Sequence, residues 1–258
     1  MKISSYVSTM ATAFLIISCA PQGTEDIKVT GAQLEVLFHD WWTYHNENLV
    51  LSAEFEALDE DGGTITKEAF LEALTTEVYI PLERESPSDK PFYQLYRLGP
   101  KADSDIGPTM ANEAQTFLQY FRLEGTQFPD FSFTDLDGMT YTKEGTKGQV
   151  LVLKTWFINC GACIAEFPDL NEFVEQNEDG KDLLFISLAT DRAPALEEFL
   201  IGREFAYTVV PEAGPFIRKI GLRIYPTHII VDGDGVILKV VNKASEMMAF
   251  LEGLELAG

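Results

Sequence analysis

The sequence predicts an α/β sandwich around one central sheet, preceded by a separate α+β accessory domain. Three observations lead there. From about Gly125 onward, strand-like runs alternate with helical ones and close in an antiparallel hairpin and a last helix. Two cysteines, Cys160 and Cys163, fall where the apolar run Val150-Leu151-Val152-Leu153 gives way to Ile164, Phe167, Leu170 and Val174 at helical spacing. The chain, 258 residues and 46% hydrophobic, has enough apolar mass for one sizeable core or two modest ones, and no repeat or low-complexity tract interrupts it.

The first residues are expected to lie outside the fold. Met1-Lys2 precedes a mostly apolar run that is too short for a comfortable membrane span and ends in small residues, as an export signal does. Ile16-Ile17-Ser18-Cys19 resembles the bacterial lipobox, in which the cysteine becomes the lipidated first residue. Residues 1–18 are therefore read as a lipoprotein signal peptide, Cys19 as the lipidation site and 19–30 as a tether. The expected location is the bacterial cell envelope, lipid-anchored and facing the periplasm.

Residues 31–124 are read as the accessory domain. Gly31 to His45 fits a helix through Leu34, Leu37, Phe38 and Trp41 and nearly fits a strand through Leu34, Val36, Phe38, Trp42 and Tyr44. Lys67 to Leu74 predicts a helix with Thr66 as N-cap. Tyr79 to Leu82 and Phe92 to Tyr96 predict strands around the polar loop Glu85 to Lys90. Met110, Ala114, Phe117, Leu118 and Phe121 mark an amphipathic helix that ends near Leu123-Glu124-Gly125. Asp59 to Ile65 is acidic and glycine-rich, but a calcium loop would place Leu58 and Ala69 where carboxylates are required, so a polar turn is expected.

In the domain at 125–258, Phe128-Pro129-Asp130-Phe131 and Asp135-Leu136-Asp137-Gly138 suggest an opening hairpin. A strand at 149–157 and a helix at 161–176 follow. Next come strand 183–188, helix 194–201 and strands 207–210, 227–231 and 236–241, then helix 245–254. Asp232-Gly233-Asp234-Gly235 is the turn of the last hairpin.

A thiolate at the start of a helix meets free N–H groups and the positive end of the dipole, which lower its pKa and make it a nucleophile. A second thiol one turn on can close a disulfide and release what the first has captured. Zinc would need four ligands, and beyond the pair the chain offers only Cys19 and three histidines, His39, His45 and His228, none at ligand spacing. A purely structural disulfide closing so short a loop removes little unfolded-chain entropy. Dithiol–disulfide exchange is the expected chemistry, with no cofactor. Acidic residues number 41 against 19 basic, and a net charge of −22 spread along the chain argues against nucleic-acid binding and against adhesion to anionic lipid by charge.

These residues resemble the thioredoxin superfamily, specifically its TlpA-like branch of membrane-tethered or exported thiol-disulfide reductases. The resemblance covers about residues 125–258. It rests on Trp156 four residues before the first cysteine, on Cys160-Gly161-Ala162-Cys163-Ile164-Ala165-Glu166-Phe167-Pro168, on Tyr225-Pro226-Thr227 ahead of the last hairpin, and on Phe128-Pro129-Asp130-Phe131 as an opening strand. It implies a thioredoxin-like fold, a central mixed sheet flanked by helices, and a cis bond before Pro226. It also implies that Glu166 serves the second thiol in place of the buried Asp of thioredoxins, whose position holds Lys154. Lys154 either pairs with Glu166 or stretches its stem to reach water alone. The chain departs from the family at Asn159, where thioredoxins usually carry an aromatic residue, and at Gly161-Ala162, which lacks the proline of thioredoxin's own motif. Peroxiredoxins are a sister alternative, but their upstream Pro and Thr or Ser are replaced by Leu153 and Phe157.

The expected function is an envelope thiol-disulfide oxidoreductase, by resemblance a reductant of protein disulfides. Its electrons would come from another dithiol, such as a membrane reductase. Cys160 would form the mixed disulfide and Cys163 resolve it. One alternative is a lipoprotein binding copper through the same two thiolates. Another is a partner-binding lipoprotein whose accessory domain sets the function.

Overall fold

The computed structural model describes residues 30–86, 90–177 and 183–254. The expected signal peptide, Cys19 and the tether up to residue 29 lie outside the described residues.

The ambiguous stretch after residue 30 is helical, as α1 (Gly31–Leu34) and α2 (Phe38–Asn48). Trp41 and His45, one turn apart, both turn inward, and the Asp103 carboxylate accepts the Phe38 N–H at 3.0 Å, supplying from a distance the cap that Leu37 lacks. β1 (Glu56–Leu58) and β2 (Thr64–Ile65) form a hairpin. The turn between them is the acidic segment: Asp59 Oδ1 accepts from the N–H groups of Asp61 and Gly63. α3 (Lys67–Leu74) starts on Thr66, whose hydroxyl accepts from Ala69 N–H at 3.1 Å. β3 (Tyr79–Glu83), β4 (Phe92–Arg97) and α4 (Ile106–Leu123) complete this part, whose sheet runs β2-β1-β4-β3. Its core gathers Trp41, Phe70, Leu71, Leu74, Ile80 and Met110.

The expected opening hairpin is shifted. Its strands are β5 (Ser132–Thr134) and β6 (Thr140–Thr142), with Asp135 to Gly138 as the turn. Phe128 to Phe131 is not a strand: Pro129 has no N–H to give a ladder, and only Gln127 makes an isolated bridge, to Val236. The rings of Phe128 and Phe131 are instead buried in the second core.

The second sheet runs β11-β10-β7-β8-β9. Its strands are β7 (Val150–Trp156), β8 (Leu183–Ala189), β9 (Thr208–Val210), β10 (Thr227–Val231) and β11 (Ile237–Val241). β7, β8 and β9 are parallel, β10 lies antiparallel on β7, and β11 is antiparallel to β10. β7 is central and buried on both faces, which is why its sequence reads as a continuous apolar run rather than an alternation. Helices follow as α5 (Gly161–Ala165), α6 (Phe167–Gln176), α7 (Ala193–Leu200), α8 (Gly214–Lys219) and α9 (Ala244–Gly253). α6 and α9 cover one face with Leu170, Phe173, Val174, Met247 and Leu251. The other face is covered by Ile217 of α8, the phenylalanines before and in β5, and Tyr120 of α4. This is a thioredoxin-like fold, a mixed sheet flanked by helices, with an additional N-terminal sheet and helices.

Two further expectations need correction. The helix expected at 161–176 is two helices meeting at Glu166, because Pro168 in the first turn of α6 has no N–H to continue the α5 ladder. Between the expected strands 207–210 and 227–231, where the sequence predicts no element, stands α8, with Pro215 in its first turn, where a missing N–H carries no penalty.

Candidate active site

The site is assembled at the C-terminal end of β7. Trp156, the last residue of the strand, is fully buried, with its ring 5.2 Å from that of Phe167 and 5.5 Å from that of Phe205. The chain then leaves the sheet through Phe157, Ile158 and the exposed Asn159. This exit is fixed from β8's side, where the Asp191 carboxylate accepts the Ile158 N–H at 2.9 Å. Cys160 caps α5, its sulfur 3.2 Å from the Cys163 N–H, and the two cysteines form a disulfide across a Cα separation of 5.2 Å. Cys160 keeps 7% of its surface exposed and Cys163 none.

Pro226 follows a cis bond from Tyr225. Because β10 pairs with β7 in a register that sets Thr227 opposite Thr155, the Tyr225–Pro226 loop lies beside the exit of β7. The Tyr225 ring meets that of Phe157 edge-on at 5.4 Å, and Tyr225 packs against the buried cluster of Trp156, Cys160, Cys163 and Phe167.

Beneath the pair, Lys154 is fully buried in β7 and its ammonium contacts Glu166 Oε2. Its stem does not run out to water. Glu166, at the junction of α5 and α6, also accepts the Ala244 N–H on Oε1 at 2.9 Å. A third partner was not foreseen as such: His228, fully buried, sits with Nε2 3.1 Å from Glu166 Oε2. His228 stands opposite Lys154 in the β10–β7 pairing, so both side chains leave the sheet on one face. Only that long-range register could have signalled it.

Burial by itself raises the Glu166 carboxyl. Hydrogen bonding to His228 and the neighbouring Lys154 ammonium outweigh burial and hold the group at about 2. Burial pushes His228 below its usual value, with Glu166 opposing and Lys154 adding to the shift, so the ring is neutral at neutral pH. Burial likewise lowers Lys154, and Glu166 opposes it. His228 is thus engaged with a carboxylate rather than free as a third thiolate-site ligand. Among the described residues no group of three or more His, Cys, Asp or Glu side chains is arranged to hold a metal ion. No helix among them is long and apolar enough to cross a membrane.

The Redoxin family model matches residues 123–248. The thiol-disulfide oxidoreductase ResA of Bacillus thuringiensis subsp. konkukian is 27% identical over 120 residues, 46% of this chain and 69% of that protein. The ResA of Geobacillus thermodenitrificans is 24% identical over 122 residues, 46% of this chain and 68% of that protein. A solved structure of a putative thiol:disulfide interchange protein DsbE from Chlorobium tepidum is 22% identical and covers 50% of this chain and 93% of its own, with a TM-score of 0.45. The C-terminal half of the chain is thus similar to thiol-disulfide oxidoreductases of the thioredoxin fold, and Cys160 and Cys163 form a redox-active pair consistent with that activity.

Proposed function

We propose that the protein reduces protein disulfides in the bacterial cell envelope, held to a membrane by lipid on Cys19. The observation that carries the reading is the Cys160–Cys163 disulfide at a strand-to-helix turn, more exposed at Cys160 and flanked by the Tyr225–Pro226 loop. The lipid anchor is supported by the sequence around Cys19 alone. The residues before and after it, 1–18 as signal peptide and 19–30 as tether, belong to the same proposal, as does the division at 124/125.

In the reduced protein the Cys160 thiolate attacks one sulfur of a substrate disulfide. A Cys160–substrate mixed disulfide forms, and the other substrate sulfur leaves as a thiolate that takes a proton from solvent. The Cys163 thiol then loses its proton and attacks the Cys160 sulfur. The Cys160–Cys163 bond forms and the second substrate thiolate is released. Two electrons have passed to the substrate, and a donor dithiol, for which a membrane reductase is the proposed source, returns the pair to the reduced state.

Glu166 is the proposed base for the Cys163 proton. A carboxylate held this low keeps a proton only transiently, so the proton leaves through the part of its side chain, 17%, that reaches solvent. Lys154 keeps it charged. Pro226 shapes the loop whose backbone at Tyr225 would pair with an extended substrate.

Trapping tests the reading. A Cys163→Ala variant cannot resolve the mixed disulfide and should accumulate envelope proteins joined to Cys160 by a bond that dithiothreitol cleaves. Recovery of no disulfide-linked protein, with the wild type also unable to reduce a peptide disulfide, would refute it.

A further inference from the structure

The last turns of α4 touch both cores, Leu118 and Phe121 the first and Tyr120 and Leu123 the second. Tyr120 is 2% exposed and belongs to the second core, while Phe117, one turn before it, packs against both. The Tyr120 hydroxyl lies 3.2 Å from Thr227 Oγ1 and 3.0 Å from Asn242 Nδ2. Asn242 Nδ2 is in turn 2.8 Å from the Pro226 carbonyl, and Thr227 Oγ1 is 2.7 Å from the Ile224 carbonyl. One set of hydrogens satisfies every member. Thr227 donates to Ile224, Tyr120 donates to Thr227, and the two amide hydrogens of Asn242 go to Tyr120 and Pro226. On the same helix turn, Gln119 Nε2 donates to the Gly221 carbonyl at 2.7 Å. Phe117 and Ile224 line one cavity of about 240 Å³. The segment 221–227, which carries the cis bond, is therefore held from outside its own sheet by hydrogen bonds from two successive residues, Gln119 and Tyr120, of a helix that closes the N-terminal core.

We propose that Tyr120 is a positioning residue for the Tyr225–Pro226 loop, so that the N-terminal region sets how an extended protein disulfide docks beside Cys160. The inference rests on the reading of the pair as a protein-disulfide reductant. The Tyr120 hydroxyl ties this part-buried network to α4: without it Asn242 Nδ2 can turn to Thr227 Oγ1, 3.1 Å away, but neither residue keeps its hydrogen bond to the helix. The loop then loses its fixed position, and main-chain pairing with a substrate is the property that needs it.

The full chain, reduced beforehand, is mixed with two probes. One is an extended peptide containing a single internal disulfide; the other is bis(2-hydroxyethyl) disulfide, too small to pair with a loop backbone. Tyr120→Phe keeps the ring and should raise the half-saturating peptide concentration about fivefold, the scale of one buried hydrogen bond. The limiting rate should change less than twofold, and the peptide reaction should lose several-fold more than the small-disulfide reaction. An unchanged half-saturating concentration overturns the proposal, and so do equal losses with both probes. If Tyr120→Phe does not fold, Gln119→Ala serves instead: it should raise the half-saturating concentration about twofold, and no change overturns the proposal. Failure of the wild type to react with either probe would refute the underlying function, whereas a reactive wild type matched by its variants refutes only this inference.

Discussion

His228 Nε2 lies 3.1 Å from Glu166 Oε2, the same oxygen that the Lys154 ammonium contacts. One carboxylate oxygen thus neutralises a buried cation and accepts from a neutral ring, while its partner oxygen takes the Ala244 N–H at the start of α9. The arrangement accounts for a fully buried lysine in the central strand. An isolated ammonium there would be costly, and an isolated carboxylate equally so. Four elements, β7, β10, the α5–α6 junction and the start of α9, are pinned at a point three residues past Cys163.

Glu166→Gln should slow resolution of the mixed disulfide about a hundredfold, the lower end for loss of a general base, and slow its formation far less. Lys154→Met should act in the same direction. In the wild type the resolution rate should show no carboxylate inflection between pH 5 and 7, because Glu166 is already ionised there. In Lys154→Met the carboxyl rises and an inflection should appear. Stopped-flow mixing of reduced protein with a disulfide peptide resolves the two steps. Equal slowing of both would remove Glu166 from the resolving step.

The same groups dictate acid stability. Glu166 has a folded value near 2 against 4.5 for the free group, so the unfolded chain binds its proton first as pH falls. Its stabilisation is complete above about 4.5 and is lost progressively down to about 2. His228 is also depressed, from 6.5, so the unfolded chain takes up that proton first as well, and some stability is lost as pH falls below 6.5. Melting temperatures of the oxidised wild type should therefore drop in two stages on acidification. Glu166→Gln should flatten the lower stage, and an unaltered acid limb in that variant would count against the assignment.

Once reduced, Cys160 should alkylate faster than Cys163 at neutral pH. It caps α5 and retains exposure, while Cys163 has none. Mass spectrometry after a short iodoacetamide pulse gives the ratio. Equal labelling, or faster labelling of Cys163, would reverse the proposed roles of attacking and resolving thiol.

What could be read from the sequence divides along contact range. The dithiol turn was legible because an apolar run, two cysteines and a 3.6-residue spacing are local signals. Lys67–Leu74 was legible for the same reason, with its cap at Thr66. Lys154 and Glu166 stand out by their distance from the cysteines, but their contact depends on how α5 and α6 break at Glu166. His228 was hidden because its partner lies across a strand pairing of long sequence separation. Tyr120 was hidden too: a hydroxyl on a helix that otherwise serves another core gives no periodic signal of its own. The stretch from Gly31 to His45 fits both periods, and the choice falls to helix where Trp41 and His45 bury side by side.

Cys19→Ser should release the protein from membranes or leave it unprocessed. A single acyl chain gives only marginal binding, so stable anchoring requires the multiple chains of a bacterial lipoprotein. Fractionation of wild-type and variant cells, with the mass of the mature chain, checks this. Wild-type protein found wholly in the soluble envelope fraction would contradict lipidation.

β11 meets the segment after α2 and the end of α4 across a second buried charge, and its removal should be felt in stability rather than catalysis. Lys239 Nζ, on β11, donates to the Ser52 carbonyl at 2.5 Å and lies 3.2 Å from Glu124 Oε1, which also accepts the Val240 N–H at 3.1 Å. Burial raises the Glu124 carboxyl, and Lys239 is the largest influence opposing it. Lys239→Met removes the nearer of the two ammonium groups that favour the Glu124 carboxylate, leaving Lys67, and should lower the free energy of unfolding by about 3 kcal/mol at neutral pH, the low end for buried pairs broken on one side. Replacing Glu124 by Leu as well removes the stranded charge, so the double variant should lose less than Lys239→Met alone. The pH dependence carries a matching sign. In Lys239→Met the Glu124 carboxyl rises further in the folded state, and a raised group stabilises below its unfolded value and loses that stabilisation as pH rises through its folded value. The deficit of Lys239→Met against wild type should therefore shrink on acidification, as Glu124 is protonated. Urea unfolding of the two variants at two pH values decides the matter. A double variant no more stable than Lys239→Met, or a deficit independent of pH, would show that the pair contributes nothing as a pair.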